Sequence, residues 1–197
     1  GPQGEDELVP EQNWSSIVNL ALGTTTIHNP SARASEIFVA SDMQKAGLNI
    51  APRIFSTAEA VYGARAPGIY AQIDSIEDAR NHVRRLKQEG GYSVKNYNQP
   101  RRDQRQQILA AAREENMMVV AEGGSLFNLD ITHIVDGNTK LEHNFPQSVL
   151  YKDVVELFSQ SKVAYTPTLT VTFGGPAGDP YWRSHTDVWK QPILQKH

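Results

Sequence analysis

Apolar residues recur along this chain with two alternating periods, one typical of helices and one typical of short buried strands. The first segment with helical spacing runs from Trp14 to Leu22, and Gly23 ends it before a β-branched run that closes at His28. Helical segments and short strands continue to alternate through most of the chain. It predicts helices over 14–22, 31–46, 76–88, 101–116, 126–136 and 153–161, and strands over 24–28, 49–55, 92–97, 117–121, 140–143 and 164–171.

Strands that alternate with helices at roughly 25-residue spacing are typical of βαβ units, so the pattern predicts an α/β fold with a parallel sheet and flanking helices. Two stretches rich in Gly and Pro, 56–75 and the tail after Phe173, break the alternation and predict long loops. A closed eight-stranded barrel typically needs ~250 residues. Because this chain has 197 residues, either its sheet is open or strands are missing.

Composition narrows the class of protein. The chain is 39% hydrophobic and 21% charged, which is ordinary for a globular domain. Its net charge of -3 and the lack of a membrane-length apolar run indicate that neither nucleic acid nor membrane is a partner. The absence of cysteine excludes disulfides, zinc-finger-type sites and thiol catalysis.

Lys95 is the first candidate for chemistry, because it lies in a predicted strand built otherwise of Tyr92, Val94 and Tyr97. One interpretation is that its stem is buried and its amine snorkels to solvent. The other is a desolvated amine that serves as a base, forms a Schiff base, or accepts carbon dioxide to give a carbamate that bridges metal ions.

Two further residues follow predicted strands, at the carboxyl ends where α/β barrels keep their chemistry. His143 closes the run that starts at Leu141 and is either a ligand or a structural histidine. Glu122 stands between a buried strand and the pair Gly123 and Gly124, and is either a metal ligand or an acid at a helix N-terminus. Oxygen and nitrogen ligands of this kind suit zinc, manganese or iron.

The remaining histidines give weaker signals. His28 ends the first predicted strand, although the Asn-Pro pair after it also predicts a plain turn. His82 and His133 lie on predicted helices, and we expect the first to be solvated and the second to have no partner. His185 and His197 fall in the tail. The chain contains no phosphate-binding glycine loop, no His-Glu-x-x-His motif and no nucleophile elbow.

Taken in order, five segments make the chain resemble the metal-dependent amidohydrolase superfamily, in particular its imidazolonepropionase- and prolidase-like branch, whose members are sometimes fused behind Tol-type β-propellers. The resemblance spans nearly the whole chain. The segments would be barrel strands two, four, five, six and seven with their following residues, namely 23–30, 94–102, 120–124, 141–144 and 165–169.

This resemblance implies roles for the candidate residues. Lys95 would be the strand-four lysine, often carboxylated to bridge two metals, and His143 the strand-six histidine ligand. The strand-five histidine of the family falls at Val120, so Glu122 would have to substitute for it. The family's first-strand His-x-His pair and eighth-strand aspartate have no counterpart here. We therefore expect residues 1–197 to form a single incomplete (β/α)8 barrel domain, roughly strands two to seven of a longer chain.

The resemblance also implies a function. The parent protein would hydrolyse a C-N bond in an amide, cyclic amide or peptide-like small substrate with metal-bound hydroxide, using one or two divalent ions, zinc foremost, and the isolated chain would be inactive. The alternatives are a non-catalytic barrel-derived domain that binds a ligand or partner, and a Schiff-base lyase that uses Lys95. Unpaired strand edges favour a homo-oligomer. The relation to propeller-fused proteins slightly favours an exported or periplasmic location.

Overall fold

A computed structural model describes residues 12–63, 71–124 and 126–169, with isolated positions at 185, 187, 190 and 192. Within these ranges the chain alternates between helices and short strands. In chain order they are α1 Trp14–Ala21, β1 Thr26–Asn29, α2 Ala34–Lys45, β2 Arg53–Ser56, β3 Val61–Tyr62, α3 Ile76–Gln88, β4 Ser93–Tyr97, α4 Arg102–Glu114, β5 Met118–Glu122, α5 Phe127–Asp136, β6 Lys140–Glu142, α6 Lys152–Ser161 and β7 Ala164–Thr166.

All paired strands are parallel, and their order in space follows their order in the chain. Strand β1 pairs with β2, and β3 to β7 form a second sheet. A backbone hydrogen bond joins these sheets, since the Tyr92 N–H before β4 donates to the Ser56 carbonyl of β2 at 2.9 Å. Within the second sheet, the Gly63 N–H after β3 donates to the Tyr97 carbonyl of β4, also at 2.9 Å. Strands β2 and β3 are thus successive parts of one strand position beside β4.

The described strands therefore occupy six positions, the number that the sequence pattern predicts. The α/β fold with a parallel sheet and flanking helices is confirmed. The prediction of a loop throughout 56–75 is wrong, because β3 lies inside that range. A two-residue strand is too short to give a periodic signal. Ala58, with φ of 57°, makes the break that separates it from β2.

Local chemistry explains the bounds of the helix predicted over 76–88. The hydroxyl of Ser75 caps α3 by accepting from the Asp78 N–H at 3.1 Å. Acidic residues occupy the first turn and basic residues the last, which complements the helix dipole. Helix α3 therefore spans the range that its sequence predicts.

The side chains of the strands alternate between two faces. The outward face packs against the helices, and the buried residues Val94, Val119, Ala121 and Leu141 belong to its apolar clusters. The inward face carries the charged residues of β4, β5 and β6. Among the described residues, no helix has the length and apolar character needed to cross a membrane.

Candidate functional site

Strand register places polar residues in two adjacent rows on the inward face. In the lower row Lys95 is level with Val120 on β5, which is level with Lys140 on β6. One pleat nearer the carboxyl ends, Glu122 is level with Glu142. Side chains of register partners point the same way. Two lysines therefore lie beneath two carboxylates at the end of the sheet where α/β barrels carry their sites.

Lys95 is buried, with 2% of its surface exposed, and its Nζ lies 2.6 Å from Oε2 of Glu122. Only 11% of the Glu122 side chain is exposed. A buried charge without a partner is strongly unfavourable, and here a group of opposite charge lies at ion-pair distance. The snorkelling interpretation of Lys95 is therefore wrong.

His143 follows β6 directly and approaches the other oxygen of the same carboxylate. Its Nε2 lies 2.9 Å from Oε1 of Glu122, and its Nδ1 lies 2.8 Å from Oγ1 of Thr168. The backbone has φ of 69°, a left-handed conformation that aims the ring back over the strand ends. Glu122 thus joins Lys95 to His143, and its carboxylate does not cap the following helix, which begins only at Phe127.

The turn after β5 is held close to this site. A Cβ atom on Gly124 would lie 2.8 Å from the Cβ of His143, and one on Gly123 would lie 2.6 Å from the Glu142 carbonyl oxygen. Buried Asp130 on α5 accepts from the Gly124 N–H at 3.1 Å. Burial raises the pKa of Asp130 to about 6. The glycines are needed because the ends of β5 and β6 approach too closely for any side chain.

Tyr97 is a site residue that sequence reasoning missed. The Lys95 Nζ lies 5.7 Å from the centre of its ring, and the Tyr62 ring packs edge-on with a centroid distance of 4.6 Å. The pKa of Tyr97 is raised to about 12, first by burial and then by the Glu122 carboxylate. Its position two residues after Lys95, on the same face of β4, was the signal in the sequence.

Lys140 and Glu142 form a second inward ion pair, which sequence reasoning also missed. Their Nζ and Oε1 atoms are 2.8 Å apart, and 24% and 8% of the side chains are exposed. His28 lies beside this pair, with its Nε2 2.8 Å from Oγ of Ser93 on β4. Its pKa is lowered by burial and then by Lys140. The spacing of two between Lys140 and Glu142 was the signal that both face one way.

The other candidate positions lie apart from this cluster. His133 is buried, and its ring lies 3.3 Å from the amide nitrogen of Asn138, so the expectation that it has no partner is wrong. His82 is half-buried on α3, where burial lowers its pKa, so it is not the solvated residue we expected. His185 is described only as an isolated position, and His197 lies outside the described residues.

The strand ends bring together only two side chains that commonly bind metals, among the residues that the structure describes. Among the described residues no group of three or more His, Cys, Asp and Glu side chains is arranged to hold a metal. Glu122 and His143 supply one oxygen and one nitrogen close together, and a carbamate on Lys95 would add a third donor. Val120 faces the same interior without any donor atom.

A cavity of about 390 Å³ occupies the opposite end of the interior and is predominantly apolar. It is lined by residues at or near the amino ends of β4 to β7 and by parts of β1 and β2, and it reaches the charged cluster at Lys140. These residues are Thr26, Ile27, His28, Phe55, Tyr92, Met118, Val120, Thr139, Lys140 and Ala164.

Comparison with known proteins gives similarity in structure only. No protein-family model matches the chain, and no curated protein matches it. Several solved structures share its fold. A structure described as a prolidase from Bifidobacterium longum has 21% identity and a TM-score of 0.59, over 77% of this chain and 40% of that one. A Xaa-Pro dipeptidase with methionine in its active site has 15% identity and a TM-score of 0.63, over 87% and 50%.

The third structure, an amidohydrolase, has 18% identity and a TM-score of 0.62, over 79% of this chain and 45% of its own. The chain thus spans about half or less of the length of the structures that it matches. Identities this low establish a shared fold. The chain has the fold of the amidohydrolase-type barrels over part of their length, as the resemblance of its sequence segments implies.

Proposed function

We propose that this chain is part of a metal-dependent hydrolase that cleaves a C-N bond in an amide or peptide-like small molecule. The observation that supports the proposal is the position of Glu122, which contacts Lys95 with one oxygen and His143 with the other. Three neighbouring parallel strands thereby bring an amine, a carboxylate and an imidazole together at their carboxyl ends. This is the end of a barrel where substrates bind.

Each side chain has a distinct role in the proposal. Glu122 and His143 would hold one divalent ion, zinc foremost, together with Lys95 after it has reacted with carbon dioxide. In that reaction the neutral amine forms a C-N bond to carbon dioxide and releases one proton to water. When bound, the ion would activate a water molecule and polarise the carbonyl of the substrate.

The neighbouring residues orient this donor set. Thr168 contacts Nδ1 of His143 and so leaves Nε2 facing Glu122. A partner on one ring nitrogen fixes the orientation in which the other can bind a metal. Tyr97 covers one side of the Lys95 amine and restricts water there. Because the chain covers at most half of the structures that it resembles, we propose the activity for a complete barrel that contains this domain.

Measurement of bound zinc tests this proposal in the chain itself. We expect one zinc ion per chain after incubation with zinc and bicarbonate, and a carbamate carbon signal in NMR spectra recorded with ¹³C-bicarbonate. The variant Lys95→Ala should lose both. The variant Lys45→Ala, which removes an exposed lysine paired with Asp42, should lose neither. Equal zinc contents in the wild type and Lys95→Ala, or no zinc in either, would contradict the proposal.

A second candidate function is a non-catalytic domain that binds a ligand or partner. The observation that favours it is the ion pair between Lys95 and Glu122, which gives each charge a neighbour of opposite sign at 2.6 Å. That function predicts no carbamate signal and no zinc. A Schiff-base mechanism is disfavoured by burial, because a carbonyl substrate, which is larger than carbon dioxide, would have to reach an amine whose side chain is 2% exposed. Borohydride trapping of a carbonyl compound on Lys95 would support it instead.

A further inference from the structure

The cavity near the amino ends of the strands has the size and composition of a binding site for a small molecule. Its volume of about 390 Å³ falls within the range of known ligand pockets. Most of its wall is apolar, and three large side chains of that wall, Phe55, Tyr92 and Met118, remain 39%, 54% and 38% exposed. Exposed apolar side chains gathered around one concave site are typical of ligand-binding grooves.

One polar atom in the wall of this cavity lacks a partner. His28 contacts Ser93 through its Nε2, which lies 2.8 Å from the serine Oγ. The Nδ1 of the same ring is buried and has no hydrogen-bond partner among the described residues. Buried polar atoms are nearly always paired. This nitrogen therefore requires a group that the described part of the chain does not supply.

Three other polar side chains of the wall already have partners. The hydroxyls of Thr26 and Thr139 each accept a hydrogen bond, at 3.1 and 3.0 Å from their donors. The ammonium of Lys140 lies 2.8 Å from a carboxylate oxygen of Glu142. A ligand with a carboxylate would have to compete with Glu142 for this ammonium, and the ammonium would repel a cationic ligand. The wall therefore favours a molecule without charge.

The protonation state of His28 indicates which group fits its free nitrogen. Burial, and then Lys140, lower the pKa of His28, so the ring is neutral at pH 7. A neutral imidazole has one donor and one acceptor nitrogen, and the direction of the hydrogen bond with Ser93 decides which is which. A hydroxyl group can donate or accept. It therefore pairs with Nδ1 in either tautomer.

The shape and volume of the cavity indicate the rest of the ligand. The rings of Phe55 and Tyr92 lie in the wall with their centroids 5.2 Å apart, and aromatic ligands pack favourably against such a pair. A closed apolar cavity of roughly 150 Å³ holds one benzene molecule. The volume here is more than twice as large, which leaves room for two fused rings.

We propose that this cavity binds an uncharged aromatic molecule of two fused rings whose single hydroxyl group forms a hydrogen bond with Nδ1 of His28. The rings pack against Phe55, Tyr92 and Met118, and the hydrogen bond sets their orientation. Neither Glu122 nor His143 lines the cavity. The inference therefore goes beyond the proposed hydrolase and does not depend on it.

Equilibrium dialysis of the full chain against 2-naphthol tests whether the cavity binds such a molecule. We expect saturable binding of one molecule per chain. The variant Ala164→Trp places a large side chain in the cavity from an exposed position on β7, so it should weaken binding at least tenfold. The control Val155→Trp makes the same addition at an exposed position of α6 that is not part of the cavity wall, and it should leave binding unchanged.

A comparison of two ligands in two proteins isolates the contact with the hydroxyl group. The variant His28→Phe keeps a ring of similar shape, and in it 2-naphthol should bind about tenfold more weakly. Naphthalene has the same rings without the hydroxyl, so the substitution should change its affinity by less than about threefold. Circular dichroism melting shows which variants are folded. Ala164→Trp, at an exposed position, tests the cavity even where His28→Phe does not fold.

Several results would overturn the proposal. One is the absence of saturable 2-naphthol binding by the folded wild type, and another is binding that Ala164→Trp leaves unchanged. Equal losses of 2-naphthol and naphthalene affinity in His28→Phe would also overturn it. A second copy of this chain is the rival occupant, and sedimentation velocity would then show a wild-type dimer that Ala164→Trp dissociates. None of these results alters the outcome of the zinc measurement, so the two proposals fail separately.

Discussion

The two ends of the barrel interior differ sharply although the same strands form both. At the carboxyl ends, Lys95 and His143 contact the two oxygens of Glu122 at 2.6 and 2.9 Å. At the amino ends, Met118 and Ala164 line a largely apolar cavity of about 390 Å³. On β5, Glu122 belongs to the charged cluster, whereas Val120 and Met118, two and four residues earlier on the same face, line the apolar cavity.

The two ends differ in how strictly their side chains depend on the positions of neighbouring residues. Buried charges need partners with defined geometry, so the carboxyl end depends on register between strands. An apolar wall needs only surface of suitable shape, and its side chains contribute according to the area that they remove from water. The chemistry of the fold is therefore concentrated where substitutions should be tolerated least.

The largest effect on stability is expected at Glu122. The variant Glu122→Ala leaves the Lys95 ammonium buried without its anion, and it should destabilise the metal-free protein by about 3–5 kcal/mol. Urea unfolding in the presence of a chelator measures this. The variant Asp42→Ala, which breaks an exposed pair with Lys45, should cost less than about 1 kcal/mol. A similar cost for the two variants would remove the distinction between the charged cluster and an ordinary surface pair.

The second prediction compares the two faces of the sheet. Leu141 on the outward face is 1% exposed and lies in an apolar cluster, so Leu141→Ala should cost about 2–5 kcal/mol. Met118 lines the cavity and is 38% exposed, so Met118→Ala should cost only about 1 kcal/mol. Chemical denaturation of both variants measures the two losses in the free energy of unfolding. A larger loss at Met118 would show that the amino-end interior is a packed core.

The third prediction concerns two buried groups on α5 that titrate with opposite effects. Burial raises the pKa of Asp130 to about 6, so its ionisation lowers stability as the pH rises from 4 to 6. Burial, and then Arg105, lowers the pKa of His133 to about 4, so its protonation lowers stability as the pH falls from 6.5 to 4. The two contributions oppose each other across this window.

Single variants should separate these contributions. In Asp130→Asn, stability should fall by roughly 2 kcal/mol more than in the wild type between pH 6.5 and pH 4, because only His133 remains. In His133→Gln, stability should instead rise as the pH falls across the same window. Urea midpoints measured at several pH values provide both curves. Parallel curves for the two variants would show that neither group titrates as its burial requires.

The smallest predicted effect is at Val120, which lies between the two ends. Its side chain is 1% exposed on the inward face and borders the cavity, so there is room for a larger ring. The variant Val120→His adds a nitrogen donor beside the proposed ion and should tighten zinc binding about tenfold, or ~1.4 kcal/mol. Val120→Leu adds volume without a donor and should leave affinity unchanged. Equal effects of the two variants would argue against a cation at this position.

Local patterns in the sequence predict most of the fold. Each of the six predicted helices is present, within three residues at either end, because apolar spacing, capping residues and glycines are local signals. Strand β3 was missed because Val61–Tyr62 is defined by pairing with β4, which lies more than thirty residues away. Pairing over that distance leaves no mark on the sequence of so short a segment.

The residues of the candidate site were likewise predicted from the sequence only in part. Lys95, Glu122 and His143 were found because each stands out from a buried strand or follows one, and the structure brings them together. Their roles in metal binding stay predictions. The pairing of Lys140 with Glu142 was missed because it depends on which face of β6 is inward. Contacts across strands, such as that between His28 and Ser93, depend on how the strands are placed in space and cannot be read from spacing.

The left-handed backbone at His143 restricts which amino acids an engineer could place there. Asparagine, aspartate and glycine tolerate this conformation, whereas a β-branched residue would be strained in it. Substitutions at position 143 are therefore limited to the few residue types that tolerate a left-handed backbone. Aspartate is the one of these that would supply a negatively charged oxygen ligand in its place, which makes His143→Asp the natural starting point for changing the preferred metal.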